Sequence, residues 1–202
     1  MKTISKAELQ ERIKLHEAWL RDKPQGKRLV LIDHDLSGSD ISGSDISYSN
    51  LSGSNLHRSD LRGSDLRGSD LSYSNLHRSN LSYSDLRDSD LRDSDLSGSN
   101  LSYSNLHRSD LRDSDLRDSD LRDSDLRNCT GNMREVKSLH FDNWIVTYTD
   151  TILNIGCQSH PIEEWFKFDD ETISNMDTEA LTWWRKYRDI LKQIIGVSNA
   201  AH

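Results

Sequence analysis

The 202-residue chain is short of cysteine and of bulky apolar residues: it has 2 Cys and 3 Phe, and Leu, Ile, Val and Phe together supply only 46 positions. Two cysteines, Cys129 and Cys157, build no disulfide framework, which suits a reducing compartment. No apolar run approaches the ~20 residues that a bilayer demands, so no membrane partner is expected. The N-terminal stretch MKTISKAELQERIKLHEAWL is charged throughout and lacks the apolar core of a secretory signal, so the expected location is the cytoplasm of a bacterial host cell. Basic charge is also scarce. Lys and Arg number 26 against 34 Asp and Glu, a formal net charge of −8. Proteins that bind nucleic acid directly carry basic patches, so direct nucleic-acid binding is not expected. So little apolar material beside so much charge excludes a thick globular core and lies close to the composition of disordered chains.

What the chain has instead is a period. From Leu36 to Leu126 an aliphatic residue stands at every fifth position, giving nineteen units such as SDLRG, SNLHR and SDLRD. The position two before the aliphatic is Ser in eighteen of them, the exception being His34. Five is neither the period of a helix nor that of a simple strand, and fixed self-similarity marks a repeat architecture. A coil of four five-residue sides satisfies it. Each aliphatic points to the axis, the small Ser faces inward near a corner, and successive coils pair backbone to backbone. Nineteen units then make about five coils and roughly 23 Å of tube at the ~4.8 Å strand spacing.

These units resemble those of the pentapeptide-repeat family, whose fold is a right-handed quadrilateral β-helix, an all-β solenoid. The family more often has Ala where this chain has Ser, so eighteen hydroxyls point inward and each needs a partner. Neighbouring corner backbone is the expected one. Three parts follow. Residues 1–33 read as a capping helix and a lead-in strand: Ser5 and Glu8 form a capping box, Leu9, Ile13, His16 and Leu20 recur at helical spacing, Pro24 and Gly26 end the pattern, and Leu29–Ile32 form the strand. Residues 34–128 are the β-helix. Residues 129–202 form a C-terminal α+β extension that holds every Phe and four of the five Trp. The five-residue register runs on through Val136, Phe141 and Val146, which predicts coil-like strands, and a helix is expected from about Met176 with Asp177 as cap and Leu181, Trp184, Arg188, Leu191 and Ile195 on one face. The segments GCQSHPIEEW and TWWRKY resemble the end region of pentapeptide-repeat proteins from phage and prophage genomes, a resemblance that supplies no activity.

Catalytic and metal chemistry is thin. Cys157 and His160 form a C-x-x-H pair, half of a structural zinc site that wants four ligands, so a packed turn is expected and no metal or other cofactor. Ser, His and Asp abound in the repeats, but the register places them and a solenoid wall offers no pocket. An enzyme is not expected. The acidity is more telling: residues 34–128 hold 18 Asp and 11 Arg, a net −7. Twenty-residue spacing puts Asp70, Asp90 and Asp110 in one column of a single wall and Asp93 and Asp113 in another, offset only by Arg92 and Arg112. The column of Asp70, Asp90 and Asp110 is either a selected surface, since stacked like charges repel, or a consequence of Asp and Asn being turn-friendly before each aliphatic. Asp93 and Asp113 sit at a freely variable position, where selection and chance weigh equally. Some pentapeptide-repeat proteins that protect DNA gyrase resemble duplex DNA in shape and charge. Duplex DNA would carry about 13 charges over 23 Å, so a net −7 allows mimicry along one side and not all round. The copy LSYSNLHRS at 71–79 and again at 101–109 faces opposite directions, whereas His57 and His77, and Tyr83 and Tyr103, stack on common sides.

Two functions are therefore expected as alternatives. In one, the acidic wall of Asp70, Asp90, Asp93, Asp110 and Asp113 docks into the groove of a DNA-binding protein such as a topoisomerase or a defence nuclease. In the other, the tube is a spacer, and Trp165, Trp183 and Tyr187 anchor assembly or partner capture, a homodimer included; a small packed core or cap is an equal alternative for these aromatics.

Overall fold

A computed structural model describes residues 1–142 and 144–199. The repeat folds one unit at a time. In all nineteen units the carbonyl of the aliphatic residue accepts the N–H three residues on, as Leu76 O does from Ser79 at 3.0 Å. The residue two after the aliphatic has positive φ every time, from Gly38 at 65° to Asn128 at 56°. That is the pattern of a type II turn. Six of these positions are glycine and thirteen carry a side chain in the left-handed region, at a cost of about 1 kcal/mol each.

Four turns close a coil. Parallel bridges join residues twenty apart at every fifth position from Val30↔Asn50 to Asp110↔Thr130. Each side carries three ladder bonds, such as Asp90 N–H to Ser69 O at 3.0 Å, Leu71 N–H to Asp90 O at 2.8 Å and Tyr73 N–H to Arg92 O at 2.9 Å. The aliphatic residues line the axis, and those from Ile46 to Leu111 are fully buried. Low apolar content suffices because one residue in five fills this core. The coil begins one unit before residue 34. Leu31 O accepts His34 N–H at 3.3 Å and Asp33 has φ 58°, so the expected lead-in strand is the first side of the tube, with Leu29 and Leu31 inside and Val30 and Ile32 outside.

The first helix, α1 (Lys6–Leu20), starts where the capping box places it, with Ser5 Oγ accepting Glu8 N–H at 3.2 Å. Leu9 and Ile13 join the tube core. Before it, β1 (Lys2–Thr3) pairs in parallel with β2 (His34–Asp35), extending the ladder beyond the first coil. After α1 the chain folds back so closely that a Cβ on Gly26 would lie 2.3 Å from Trp19 N, a return that requires glycine.

At the other end Cys129, Thr130 and Val136 keep the register. Cys129 N–H bonds to Leu126 O, Leu111 N–H bonds to Thr130 O, and Val136 is buried in the tube core. There the coil stops. Phe141 and Val146, expected on further coil-like strands, lie on β3 (Lys137–Phe141) and β4 (Trp144–Tyr148) of an antiparallel sheet completed by β5 (Ile152–Ile155) and β6 (Gln158–Pro161), in the order β3-β4-β5-β6. A coil needs a small inward residue and a side-chain acceptor in every unit. Residues 137–161 do not keep both at five-residue spacing, and their β-branched and aromatic residues suit a meander instead. Three helices follow: α2 (Ile162–Trp165), α3 (Asp170–Ser174) and α4 (Ala180–Asn199). The helix expected from Met176 thus begins at Ala180, with Asp177 Oδ1 accepting Glu179 N–H before it. Trp184, Leu191 and Ile195 are buried, Leu181 is half-buried and Arg188 is exposed. Sheet and helices enclose a second core that includes Val146, Leu153, Trp165, Ile173, Trp184 and Leu191, separate from the first.

Candidate functional site

The walls of the tube present three kinds of position, and each has a distinct task. The Asp or Asn before the aliphatic is structural in all nineteen units: its Oδ1 accepts the N–H two residues on, as Asp70 does from Ser72 at 3.1 Å and Asn80 from Ser82 at 3.2 Å. This Asx closure fixes the chain as it enters the turn. The inward serines are satisfied in a related way. Thirteen of the eighteen donate Oγ to the carbonyl of the aliphatic residue three before, as Ser79 does to Leu76 O at 2.6 Å. Ser69 Oγ donates to Ile46 O, Ser49 Oγ to Ser69 Oγ, and Ser99 Oγ has no partner among the described residues.

Arginine follows the same local rule. All eight arginines that directly follow an aliphatic fold back onto the Asp that directly precedes it: Arg62 onto Asp60, Arg92 onto Asp90, Arg112 onto Asp110, and so on to Arg127 onto Asp125. Arg92 Nε also lies 3.7 Å from Asp110 Oδ2, so the pairs begin to link along the tube. The hydrogen bond from Arg92 holds the Asp90 carboxyl below the usual carboxylate range, and Arg117 and Arg122 do the same for Asp115 and Asp120.

This divides the five wall carboxylates that the sequence puts together. Asp70, Asp90 and Asp110 are half-buried turn acceptors, and arginine neutralises the last two. Asp93 and Asp113 stand on the positive-φ corner, exposed, and their carboxylates have no hydrogen-bond or ion-pair partner among the described residues. The same corner holds Tyr in four units and Arg in three, so left-handed backbone alone does not dictate Asp there. Asp118 and Asp123 occupy the same kind of corner on the last turns, and the Asp123 carboxylate raises the pKa of Tyr103. The corner carboxylates of the repeats, Asp88, Asp93, Asp113, Asp118 and Asp123, therefore gather toward the C-terminal end of the tube, a gradient that composition by wall did not reveal. The corner columns also stack: the Tyr83 and Tyr103 rings lie 4.9 Å apart at 7°, and the His57 and His77 rings, one position earlier in their units, lie 5.3 Å apart at 5°.

The aromatic candidates of the extension take the packed-core alternative. Trp165 and Trp183 are buried, their Nε1 groups donating to Leu153 O at 2.6 Å and Phe141 O at 3.2 Å. Tyr187 sits at the margin, its ring 5.0 Å from that of Trp183 and its hydroxyl 2.6 Å from Asp142 Oδ2. They build the second core rather than a contact surface, because indole and phenol find both apolar cover and backbone acceptors inside it. Cys157 is exposed beside Gly156, while His160 packs edge-on against Trp165 and Phe168. Burial pushes the Cys129 thiol up to about 12, which leaves it an apolar filler rather than a nucleophile.

A family model for pentapeptide repeats, built of eight copies, matches residues 30–58, 59–98 and 89–128. The repeat region belongs to the pentapeptide-repeat family. The bridges twenty residues apart agree with that family's right-handed β-helix. Among solved structures this chain is similar to HetL, a pentapeptide-repeat protein involved in heterocyst differentiation regulation from the cyanobacterium Nostoc sp. strain PCC 7120, at 24% identity over 52% of this chain and 56% of that one, with TM-score 0.40. It is similar to AT2G44920, a pentapeptide-repeat protein from the Arabidopsis thaliana thylakoid lumen, at 26% identity over 49% of this chain and 66% of that one, TM-score 0.40. It is also similar to QnrB1, a plasmid-mediated fluoroquinolone resistance protein, at 18% identity over 50% and 61%, TM-score 0.32. The chain thus spans little more than half the length of HetL. No curated protein matches it at a significant level.

Proposed function

We infer that the protein is a non-enzymatic interaction module whose tube presents an acidic wall to a protein partner. One observation carries this reading: Asp93 and Asp113, a coil apart on one wall, are exposed and unpaired among the described residues, while their neighbours Asp90 and Asp110 are each held by an arginine. Two free carboxylates above two neutralised ones make a narrow acidic stripe, not a charged cylinder. A partner with a basic groove, such as a DNA-binding enzyme, fits that stripe, and its binding would weaken as salt rises. Mimicry of DNA is confined to this side.

Affinity capture from bacterial lysate at low and high salt tests the reading. A partner retained by the wild-type chain at low salt, released at high salt and lost with Asp93→Lys/Asp113→Lys supports it. Retention by the double variant sinks it. Reversal at Asp70, Asp90 or Asp110 is a poorer test, since it removes a turn acceptor as well as a charge. The competing reading, assembly through the extension, is favoured by Ile190, 46% exposed on α4. It predicts a homodimer that Ile190→Asp dissociates.

A further inference from the structure

The two ends of the tube are finished differently. At the N-terminal end the chain supplies its own extra strand: the extended segment Lys2–Thr3 pairs in parallel with His34–Asp35, and Lys2 N–H donates to Asp33 O at 2.8 Å. At the C-terminal end the ladder breaks off. Leu111 N–H still reaches Thr130 O, but among the described residues the N–H groups of Leu116, Asp118, Leu121, Asp123 and Leu126 have no hydrogen-bond partner, and neither do the carbonyls of Ser119 and Ser124. Deeper in the tube the same positions are paired on every side. Leu121, alone among the repeat aliphatics, is only partly buried.

This open edge forms one wall of a groove of about 840 Å3, whose other wall is made by the β4–β5 turn and β6. The charge in the groove has one sign to spare. Arg122 and Arg127 are committed to Asp120 and Asp125. Asp118, Asp123 and Glu135 remain, against Arg134, while Asp150 is 3.9 Å from Lys137 Nζ.

We propose that this edge takes an extended basic peptide segment of a partner protein, which adds a strand to the last coil. The unpaired groups on the Leu121 side, two donors and one acceptor, are the set that every lower coil uses to hold the coil above it. Main-chain bonds would supply the affinity, an aliphatic side chain of the peptide would cover Leu121, and flanking Lys or Arg would meet Asp118 and Asp123. The chain's own β1, an extended segment bearing Lys2, is the internal precedent at the opposite end. The surface is distinct from the Asp93–Asp113 wall and does not depend on it.

The test is a titration of the full-length protein with a fluorescein-labelled peptide of sequence RSKLRSK, followed by anisotropy and by amide hydrogen exchange. The expected result is saturable one-to-one binding. Backbone N-methylation at alternate peptide residues, and separately Asp118→Lys/Asp123→Lys in the protein, should each weaken it about tenfold, equivalent to ~1.4 kcal/mol. Exchange at Leu121 and Asp123 should slow when peptide is bound, and Asp93→Lys/Asp113→Lys should leave binding unchanged. The proposal is overturned by equal binding of the N-methylated peptide, by equal binding of an acidic ESDLESD peptide, or by no saturation at millimolar concentration. Peptide-free protection of the same amides in a dimer seen by sedimentation would assign the edge to a second copy instead and overturn it likewise.

Discussion

The tube and the C-terminal extension are near equals in purpose, each burying an apolar core, yet they reach it by opposite routes. In the tube every residue's task is set within its own unit and the coils directly above and below. One aliphatic faces the axis, one Ser bonds the carbonyl three residues back, and one Asx closes the turn. In the extension, contacts join distant segments: Trp183 Nε1 reaches Phe141 O and Lys186 reaches Asp142 across more than forty residues. A locally determined structure tolerates copying, which is why LSYSNLHRS can recur on opposite walls. A core of interlocking aromatics does not.

Point mutations should separate the two cores. The largest effect is expected from Trp165→Ala, which removes a 3% exposed indole from the second core and should cost about 3–5 kcal/mol. Four of the five Trp lie in the extension, so urea unfolding followed by tryptophan fluorescence should show the loss while tube amides in residues 46–111 keep their exchange protection. If those amides lose protection in parallel, the two cores are one cooperative unit. Leu81→Ala, in the middle of the tube, should cost about 2–5 kcal/mol and show the reverse pattern, with local amides opening and the tryptophan signal retained.

Smaller effects sharpen the account of single units. Asn80→Ala removes the acceptor for Ser82 N–H and Oγ and should cost about 1 kcal/mol in the same urea experiment. A neutral loss would mean that the Asx closure is a consequence of the turn and not a support for it. The smallest concerns the N-terminal cap. His16 Nδ1 accepts Leu29 N–H and Nε2 faces Ser47 O at 2.9 Å, so the ring is neutral. Burial lowers its pKa below the ordinary value. Between the lowered value and about 6.5 the unfolded chain binds more protons than the folded one, so the contribution is complete above pH ~6.5 and declines as pH falls through the folded value. Melting temperatures from pH 7.5 to 5 should fall more for the wild-type chain than for His16→Gln.

The tube was legible in the sequence almost residue by residue, because its contacts repeat at fixed offsets of three, five and twenty. Even the ring stacks of His57 on His77 and Tyr83 on Tyr103 followed from spacing. What spacing could not show was how charges pair. Spacing already placed Asp90 at the turn-friendly position and Asp93 at a variable one, but only the turn geometry ties Asp90 to Arg92 and leaves the Asp93 carboxylate free. In the extension the signal was weaker from the start. Trp165 and Trp183 read equally as anchors or as core, because aromatic residues suit both, and no local rule distinguishes the two. Helices α2 and α3, of four and five residues, are too short to show a helical period. The open edge at residues 116–126 has no signature of its own, since its units are identical in kind to those below and differ only in having nothing stacked above them.

The central claim is that recognition runs through the free carboxylates of the wall and not through the extension. Its most direct test is the affinity of one captured partner, once identified, for three full-length proteins: wild type, Asp93→Lys/Asp113→Lys, and Ile190→Asp. The account predicts at least a tenfold loss for the double charge reversal, about 1.4 kcal/mol, and an unchanged value for Ile190→Asp. The opposite pattern, wild-type affinity in the reversal and loss in Ile190→Asp, would contradict it.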